Sequence, residues 1–110
     1  MPTIFSKIIN KEIPADIVYE TDNVLAFKDI KPQAPVHILI IPKIEIPKVS
    51  DIIGKEHATL LSEMFDAANK LAKDLGISER GFRLLFNCGN DGGQEVYHIH
   101  MHLLGGRHMN

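Results

Sequence analysis

The sequence predicts an α+β fold, in which a five-stranded, mainly antiparallel sheet carries one long and one short helix. Five short runs rich in β-branched and apolar residues are joined largely by polar turns, which favours antiparallel pairing. One longer stretch repeats its apolar residues every three or four positions, as an amphipathic helix does. The 110 residues suffice for one hydrophobic core, so residues 1–110 are expected to form a single domain.

The first half of the chain predicts the short helix and three strands. Apolar residues at helical spacing over 4–9 indicate the helix, and Pro14 prevents it from extending far. Residues 17–19 and 24–27 are β-rich runs on either side of a polar turn, which predicts a hairpin. The nearly continuous apolar run at 36–41 is typical of a central strand covered on both faces.

The second half predicts the long helix and two further strands. Gly76 is a suitable residue to end that helix. Strands are expected at 82–86 and 96–104, with a glycine-rich turn at 89–93 between them. The helix should bury one apolar face. The residues of that face are Leu60, Leu61, Met64, Phe65, Ala68, Leu71, Ala72 and Leu75.

Charge and cysteine content exclude several classes of protein. Twelve Lys and Arg against 14 Asp and Glu give no bulk basic field, so neither nucleic acid nor a membrane is an expected partner. The single cysteine, Cys88, cannot form an internal disulfide, which favours a cytoplasmic protein. We expect Cys88 to be a small buried residue, and His57 and His108 to lie on the surface. No signal peptide or membrane span is expected.

Three histidines alternate with apolar residues in the last predicted strand. Side chains of a strand alternate between its faces, so His98, His100 and His102 should share one face. Imidazoles need hydrogen-bond partners and make poor core material, so this row is expected to line a pocket. The opposite face should pack under the long helix. That face contains Tyr97, Ile99, Met101 and Leu103.

Two chemical uses of this row compete. His98 and His102 would lie roughly 13 Å apart along an extended strand, whereas zinc–nitrogen bonds are about 2.0–2.1 Å long, so sharing one ion would require large rearrangements. Nucleophilic catalysis needs only a central ring with one free nitrogen, its other N–H being held by an acceptor such as a backbone carbonyl. The preceding turn, residues 89–94, could add backbone N–H groups and the Gln94 amide as donors to an anion.

The run from His98 to Leu104 matches His-φ-His-φ-His-φ-φ, where φ is apolar, and on this motif the chain resembles the histidine-triad family of nucleotide-binding hydrolases. Within that family it is similar to the Hint-type nucleoside phosphoramidases, which implies a HIT-like fold. The resemblance extends over almost the whole chain. Its other blocks are Ile4-Phe5-Ser6-Lys7-Ile8, Glu12-Ile13-Pro14-Ala15, Ala26-Phe27-Lys28-Asp29-Ile30, Pro32-Gln33-Ala34-Pro35-Val36-His37, Ile41-Pro42-Lys43 and Asp91-Gly92-Gly93-Gln94.

The resemblance implies a role for each matching residue. His100 is the expected nucleophile, with His37, His98 and His102 supporting it and His102 also contacting phosphate. Asp29 is expected to accept hydrogen bonds from the ribose hydroxyls. Asn87 and Gln94 are expected to hold the α-phosphate, and Gly93 and Val96 are also expected among the nucleotide-binding residues. The expected wall of the purine pocket consists of Phe5, Ile8, Phe27 and Ile30.

The expected activity is cleavage of purine nucleoside 5′-monophosphate phosphoramidates, of the AMP-NH2 or AMP-lysine type, through a covalent nucleotidyl-histidine. No metal or other cofactor is expected, and the resemblance implies a homodimer. The alternatives are a dinucleoside polyphosphate hydrolase, a non-catalytic nucleotide-binding or scaffold protein, and a zinc-binding module. Glu95 stands where some family members have a serine beside the phosphate, and some members continue beyond the position of Asn110 with an aromatic tail. The resemblance therefore leaves the leaving group open.

Overall fold

The structure, a computed structural model, describes residues 2–110 and confirms the predicted α+β class. Five strands form one sheet in the order β1-β2-β3-β5-β4, and all four neighbouring pairs are antiparallel. One turn of 3-10 helix at Val49–Asp51 precedes the long helix. The elements are α1 (Ile4–Ile9), β1 (Ile17–Glu20), β2 (Val24–Lys28), β3 (Val36–Pro42), α2 (Gly54–Asp74), β4 (Phe82–Leu85) and β5 (Met101–Gly105).

The short helix α1 is fixed at its start by a capping box. The Thr3 hydroxyl accepts the backbone N–H groups of Phe5 and Ser6, and the Ser6 hydroxyl accepts the Thr3 N–H at 3.1 Å. These bonds satisfy amides that a helix start otherwise leaves without partners. Phe5 and Ile8, one turn apart, are the buried residues of α1, so this six-residue helix presents an apolar edge to the sheet.

The sheet is covered on both faces, which explains the continuous apolar run of β3. Ile38 and Ile40 belong to the core beneath α2, whereas Leu39 and Ile41 pack with Phe5 of α1 on the opposite face. Strand β5 alternates in the same way: Met101 and Leu103 lie in the α2 core, and His102 is directly paired with Leu39. The α1 face of the sheet therefore combines apolar side chains with histidines.

The final strand is shorter than predicted. It begins at Met101, and residues 96–100 are irregular. The Ile99 N–H donates to the Ile46 carbonyl, and the His98 ring is bonded to the Pro42 carbonyl, so this segment is held by the end of β3 and the loop after it. Because these partners hold it outside a regular strand pairing, the predicted alternation fails at Tyr97, which is 42% exposed.

Other burial expectations are corrected as well. On α2, Phe65 and Leu75 are exposed, whereas Ala67 is fully buried. Cys88 is exposed, because the chain has left β4 and the thiol donates only a weak hydrogen bond to Ser50 at 3.7 Å. His57 is half-buried, and its Nδ1 accepts the Ile53 N–H at 2.9 Å at the start of α2. Across residues 2–110, no helix combines the length and apolar character that a membrane crossing requires.

Candidate active site

A cavity of about 490 Å³ opens on the α1 face of the sheet. Its lining combines apolar and polar residues, and the Phe5 ring contacts His100 edge-on at a centroid distance of 5.0 Å. The apolar lining residues are Ile4, Phe5, Ile8, Ile13, Pro14, Ala15, Phe27, Ile30, Leu39 and Val96. The other lining residues are Lys28, Asp29, Lys31, Gln33, Asn87, Gly93, Glu95, His100 and His102.

His37 and His102 form a hydrogen-bonded pair whose proton positions the backbone determines. The Gln33 N–H donates to His37 Nδ1 at 3.1 Å, so this nitrogen has no proton. His37 must then carry its proton on Nε2, which donates to His102 Nδ1 at 2.9 Å. His102 in turn carries its proton on Nε2. That buried nitrogen finds no partner among residues 2–110, so His102 presents an unused donor at the cavity.

His100 is held in the tautomer that nucleophilic attack requires. Its Nδ1–H donates to the His98 carbonyl at 2.9 Å, which leaves the Nε2 lone pair free. The ring is 8% exposed and lies between Phe5 and His102, whose ring centroid is 5.0 Å away. A free lone pair and an unused donor therefore occur on neighbouring rings, as displacement at an anionic centre requires.

His98 supports this arrangement from outside the cavity. Its side chain is fully buried, and the ring Nε2–H donates to the Pro42 carbonyl at 2.7 Å. The expectation that all three histidines line a pocket is therefore wrong for His98, because its ring fixes residues 96–100 against β3. The backbone carbonyl of the same residue orients His100. His98 is thus a positioning residue.

Burial keeps the four imidazoles neutral. Loss of solvation lowers the pKa of His37, His98 and His100, and it lowers the pKa of His102 to about 4. The neighbouring rings His100 and His37 lower the His102 pKa further, whereas Asp29 opposes the shift. The hydrogen bond to the His98 carbonyl and the charges of Asp29 and Glu95 raise the His100 pKa without cancelling the effect of burial.

Asp29 follows β2 at the edge of the cavity and joins two parts of the site. One carboxylate oxygen accepts the Lys31 N–H at 2.8 Å, and the other lies 3.4 Å from His37 Nε2. The side chain is 19% exposed. Asp29 therefore caps the turn into the β2–β3 loop, and its oxygens keep further lone pairs that can accept hydrogen bonds from a ligand hydroxyl.

Backbone amides of the glycine-rich turn are hydrogen-bonded within the turn. The Gly93 N–H donates to the Asn90 carbonyl and the Gln94 N–H to the Gly89 carbonyl. The Gly89 N–H donates to the Gln94 side-chain oxygen at 2.9 Å. These three amides are thus already bonded within the turn. A Cβ at Gly92 would overlap the Cys88 carbonyl oxygen, so the close approach of the two backbones requires glycine there.

Gln94 and Asn87 differ in their access to a ligand. The Gln94 side-chain NH2 donates to the carbonyls of Pro47 and Val96 at 2.7 and 2.9 Å, and Gln94 does not line the cavity. Both N–H groups of Gln94 hold the loop together, and its phosphate contact stays a prediction. Asn87 lines the cavity and uses one N–H on the Gly92 carbonyl at 2.9 Å, which leaves its second N–H for a ligand.

Asp29, His37 and His102 also have side chains of the types that bind metal ions. Ligand atoms of Asp29, His37 and His102 lie within 4.8 Å of one another. A metal bound to His37 Nε2 would need the ring proton on Nδ1, where it would face the N–H of Gln33 instead of accepting from it. The donor set therefore fits a hydrogen-bonded chain better than a metal site.

The structure brings most of the predicted residues together. Ten of them line the one cavity, and they are Phe5, Ile8, Phe27, Asp29, Ile30, Asn87, Gly93, Val96, His100 and His102. His37 and His98 reach it through other histidines. Sequence reasoning missed Gln33, whose backbone amide fixes the His37 tautomer. It also assigned no role to Lys28 and Lys31 at the cavity, since a surface lysine has no distinguishing pattern.

Comparisons with known proteins agree with this geometry. A family model described as "HIT domain" matches residues 10–109. The purine nucleoside phosphoramidase of Escherichia coli (strain K12) is 62% identical over 105 residues, which cover 96% of this chain and 87% of that protein. The protein named adenylylsulfatase HINT1 from Arabidopsis thaliana is 52% identical over 110 residues, covering 99% of this chain and 74% of that one. The crystal structure of a HIT family hydrolase from Legionella pneumophila has a TM-score of 0.96 at 52% identity, covering 99% of this chain and 96% of that one.

Proposed function

Because this chain belongs to the HIT-domain family, we propose that it is a purine nucleotide-binding hydrolase that cleaves nucleoside 5′-monophosphate phosphoramidates. The observation that carries the proposal is the fixed tautomer of His100, which leaves its Nε2 lone pair free in a ring whose centroid lies 5.0 Å from that of His102, a residue with an unused N–H donor. The name of the Escherichia coli relative, purine nucleoside phosphoramidase, supports the same substrate class. Substrates of the AMP-NH2 and AMP-lysine types have a phosphorus–nitrogen bond suited to this attack.

The apolar and polar lining residues of the cavity suit the different parts of such a substrate. A purine is flat and largely apolar, so it fits between the side chains that include Phe5, Ile8 and Phe27. Asp29 offers carboxylate oxygens to the ribose hydroxyls, and Asn87 and His102 offer N–H donors to the α-phosphate. This placement brings the phosphorus to His100.

In the first step, His100 Nε2 forms a bond to phosphorus while the bond from phosphorus to the leaving amine breaks. The nitrogen of the amine takes a proton from the solvent as this bond breaks, so that a neutral amine departs. His102 keeps its Nε2 proton and donates it as a hydrogen bond to a phosphate oxygen. His100 keeps its Nδ1–H on the His98 carbonyl, which stabilises the positive charge of the nucleotidyl-histidine. The His37 pairing orients His102 for this hydrogen bond.

In the second step, water attacks the same phosphorus and the bond to His100 Nε2 breaks. A proton of the attacking water returns to the solvent, which balances the proton that the amine took up, and the nucleoside monophosphate leaves with the added oxygen. His100 regains its starting tautomer. Two displacements through a covalent intermediate replace one difficult attack by water, which is the advantage of a nucleophilic side chain.

The test uses purified protein and adenosine 5′-phosphoramidate. We expect release of AMP and ammonia, and a nucleotidyl adduct on His100 in rapidly quenched samples examined by peptide mass spectrometry. Diadenosine polyphosphates and adenylyl sulfate serve as competing substrates, the second suggested by the name of the Arabidopsis relative. Faster cleavage of either would reassign the leaving group, and binding of AMP without any turnover would contradict the proposal.

We further propose a homodimer that joins its sheets through β4. This strand pairs only with β5, so its other edge is open in the described chain, and Phe82, Leu84 and Phe86 beside the α2 core are only half-buried. Phe65 on α2 is 47% exposed. Open edges and apolar side chains of this kind favour pairing with a second copy. Light scattering should give twice 12.3 kDa, whereas a monomer at assay concentrations would contradict this proposal.

We also propose a cytoplasmic location without a nucleic-acid partner. The single cysteine has no disulfide partner and is exposed as a thiol, which suits a reducing compartment. The charges nearly balance, at a formal net value of −2, so any anion is bound locally and not by a general basic surface.

A further inference from the structure

We propose that Glu95 selects the leaving group, favouring departing amines that carry an additional positive charge over departing groups that are anionic. This inference rests on the function proposed above. It concerns a residue that is neither the nucleophile nor one of its hydrogen-bonded supports, and it assigns a reason for a carboxylate in a site that binds an anion.

Glu95 lines the cavity from a segment whose backbone is held in place by its neighbours. Its neighbour Gln94 is 7% exposed and bonded to the carbonyls of Pro47 and Val96, and Val96 is half-buried. The backbone on both sides of Glu95 is therefore fixed. The side chain itself is exposed and lines the cavity together with His100 and Asn87.

The position of Glu95 indicates which part of the substrate meets it. In the proposed function the nucleoside is held by the apolar side chains and by Asp29, and the phosphorus must reach His100. Glu95 is the other carboxylate of the lining, and its charge is felt at the His100 ring. We therefore assign Glu95 to the leaving group, which is attached to the phosphorus that reaches His100.

The effect of this charge differs between substrates only through the leaving group. Every candidate substrate carries the same nucleotide phosphate, so repulsion between Glu95 and that phosphate cancels when two substrates are compared. An ammonium on the leaving group is attracted to the carboxylate, and an anionic group is repelled. Lys28 lines the same cavity, and its positive charge is partly compensated by Asp16, whose carboxylate lies 3.5 Å from the Lys28 ammonium.

The experiment compares three adenosine 5′-phosphoramidates with leaving amines of matched length: propylamine, 1,3-diaminopropane and β-alanine. They are neutral, cationic and anionic beyond the reacting nitrogen. The value of kcat/KM is measured for the natural chain, for Glu95→Gln, and for Glu79→Gln as the control. Glu79 is exposed and lies outside the cavity, and its replacement by Gln changes the net charge by the same amount.

We expect the cationic-to-anionic ratio of kcat/KM to fall about three- to tenfold in Glu95→Gln, as exposed charge pairs of this strength allow. The ratio of the natural chain should also shrink at about 1 M salt, where the Debye length is about 3 Å. Glu79→Gln should keep the natural ratio. This inference is overturned if the ratio in Glu95→Gln stays within twofold of the natural ratio, or if Glu79→Gln lowers the ratio equally. In either case, hydrolysis of the propylamine compound still upholds the proposed function. No hydrolysis of that compound by the natural chain overturns both.

Discussion

Replacing His100 with alanine should lower kcat/KM for adenosine 5′-phosphoramidate by about 10⁴-fold or more and abolish the nucleotidyl adduct. Of the two imidazoles that line the cavity, His100 is the one whose hydrogen bonds leave a ring lone pair free. His102 cannot take over, because its Nδ1 already accepts the proton of His37. Stopped assays of AMP release and intact-protein mass spectrometry measure the two effects.

Two controls separate loss of the nucleophile from loss of structure. His108→Ala removes an exposed imidazole outside the cavity and should retain the natural rate. Binding of AMP to His100→Ala, measured by calorimetry, should persist because the apolar wall and Asp29 remain. If His100→Ala hydrolysed the phosphoramidate at the natural rate, the covalent mechanism would be wrong.

The fold was predictable because its local patterns agree with its packing. The apolar run of β3 predicted a strand covered on both faces, and the structure places Ile38 and Leu39 in cores on opposite faces. The helical period predicted α2 correctly, although individual positions were wrong: Phe65 was expected on the buried face and is exposed. Periodicity indicates a face, but the width of the partner surface decides how much of that face is buried.

The segment before β5 was predicted less well, and the reason is physical. Alternating apolar and polar residues at 96–104 suit a strand, but His98 finds its acceptor at the Pro42 carbonyl and Ile99 at the Ile46 carbonyl. These tertiary bonds fix residues 96–100 outside the sheet. A sequence pattern contains no signal for a backbone carbonyl that lies more than fifty residues away.

The identity of the site residues was predicted more fully than their chemistry. The spacing of His98, His100 and His102 and a family motif located the site, and the acceptor for His100 was anticipated as a nearby backbone carbonyl. The tautomers of His37 and His102 depend on the Gln33 amide, a main-chain group that is the same for every residue type but proline. Such control by the backbone is visible only once the chain is folded.

Acidification from pH 7.5 to pH 5 should destabilise the fold markedly. Burial lowers the pKa of His37, His98, His100 and His102 in the folded state, the last to about 4. The unfolded chain, with histidine pKa values near 6.5, therefore binds more protons at pH 5 than the folded chain does. Stability is fully present above about pH 6.5 and falls as the pH drops from there toward the folded pKa values.

One pKa unit corresponds to about 1.4 kcal/mol. For His102, which is only partly buried, allowance for solvent screening leaves roughly 1–2 kcal/mol lost by pH 5. The other three histidines contribute with the same sign. A loss of 1 kcal/mol lowers the Tm of a domain of this size by roughly 4–8 °C, so calorimetry across this range should show a fall of about 10 °C or more.

The carboxylate of Glu20 does not contribute to this loss of stability between pH 7.5 and pH 5. The pKa of Glu20 is lowered by its hydrogen bonds to Lys43 and Lys11, so its contribution to stability is lost only as the pH falls from about 4.5 toward its lower folded pKa.

His102→Asn removes the most strongly shifted imidazole and should flatten the dependence of Tm on pH between 6.5 and 5. His108→Asn, on the exposed tail, should leave that slope unchanged. A Tm that stays constant from pH 7.5 to 5 in the natural chain would mean that these imidazoles are not held neutral by burial, and the tautomers that make His100 a nucleophile would lose their physical basis.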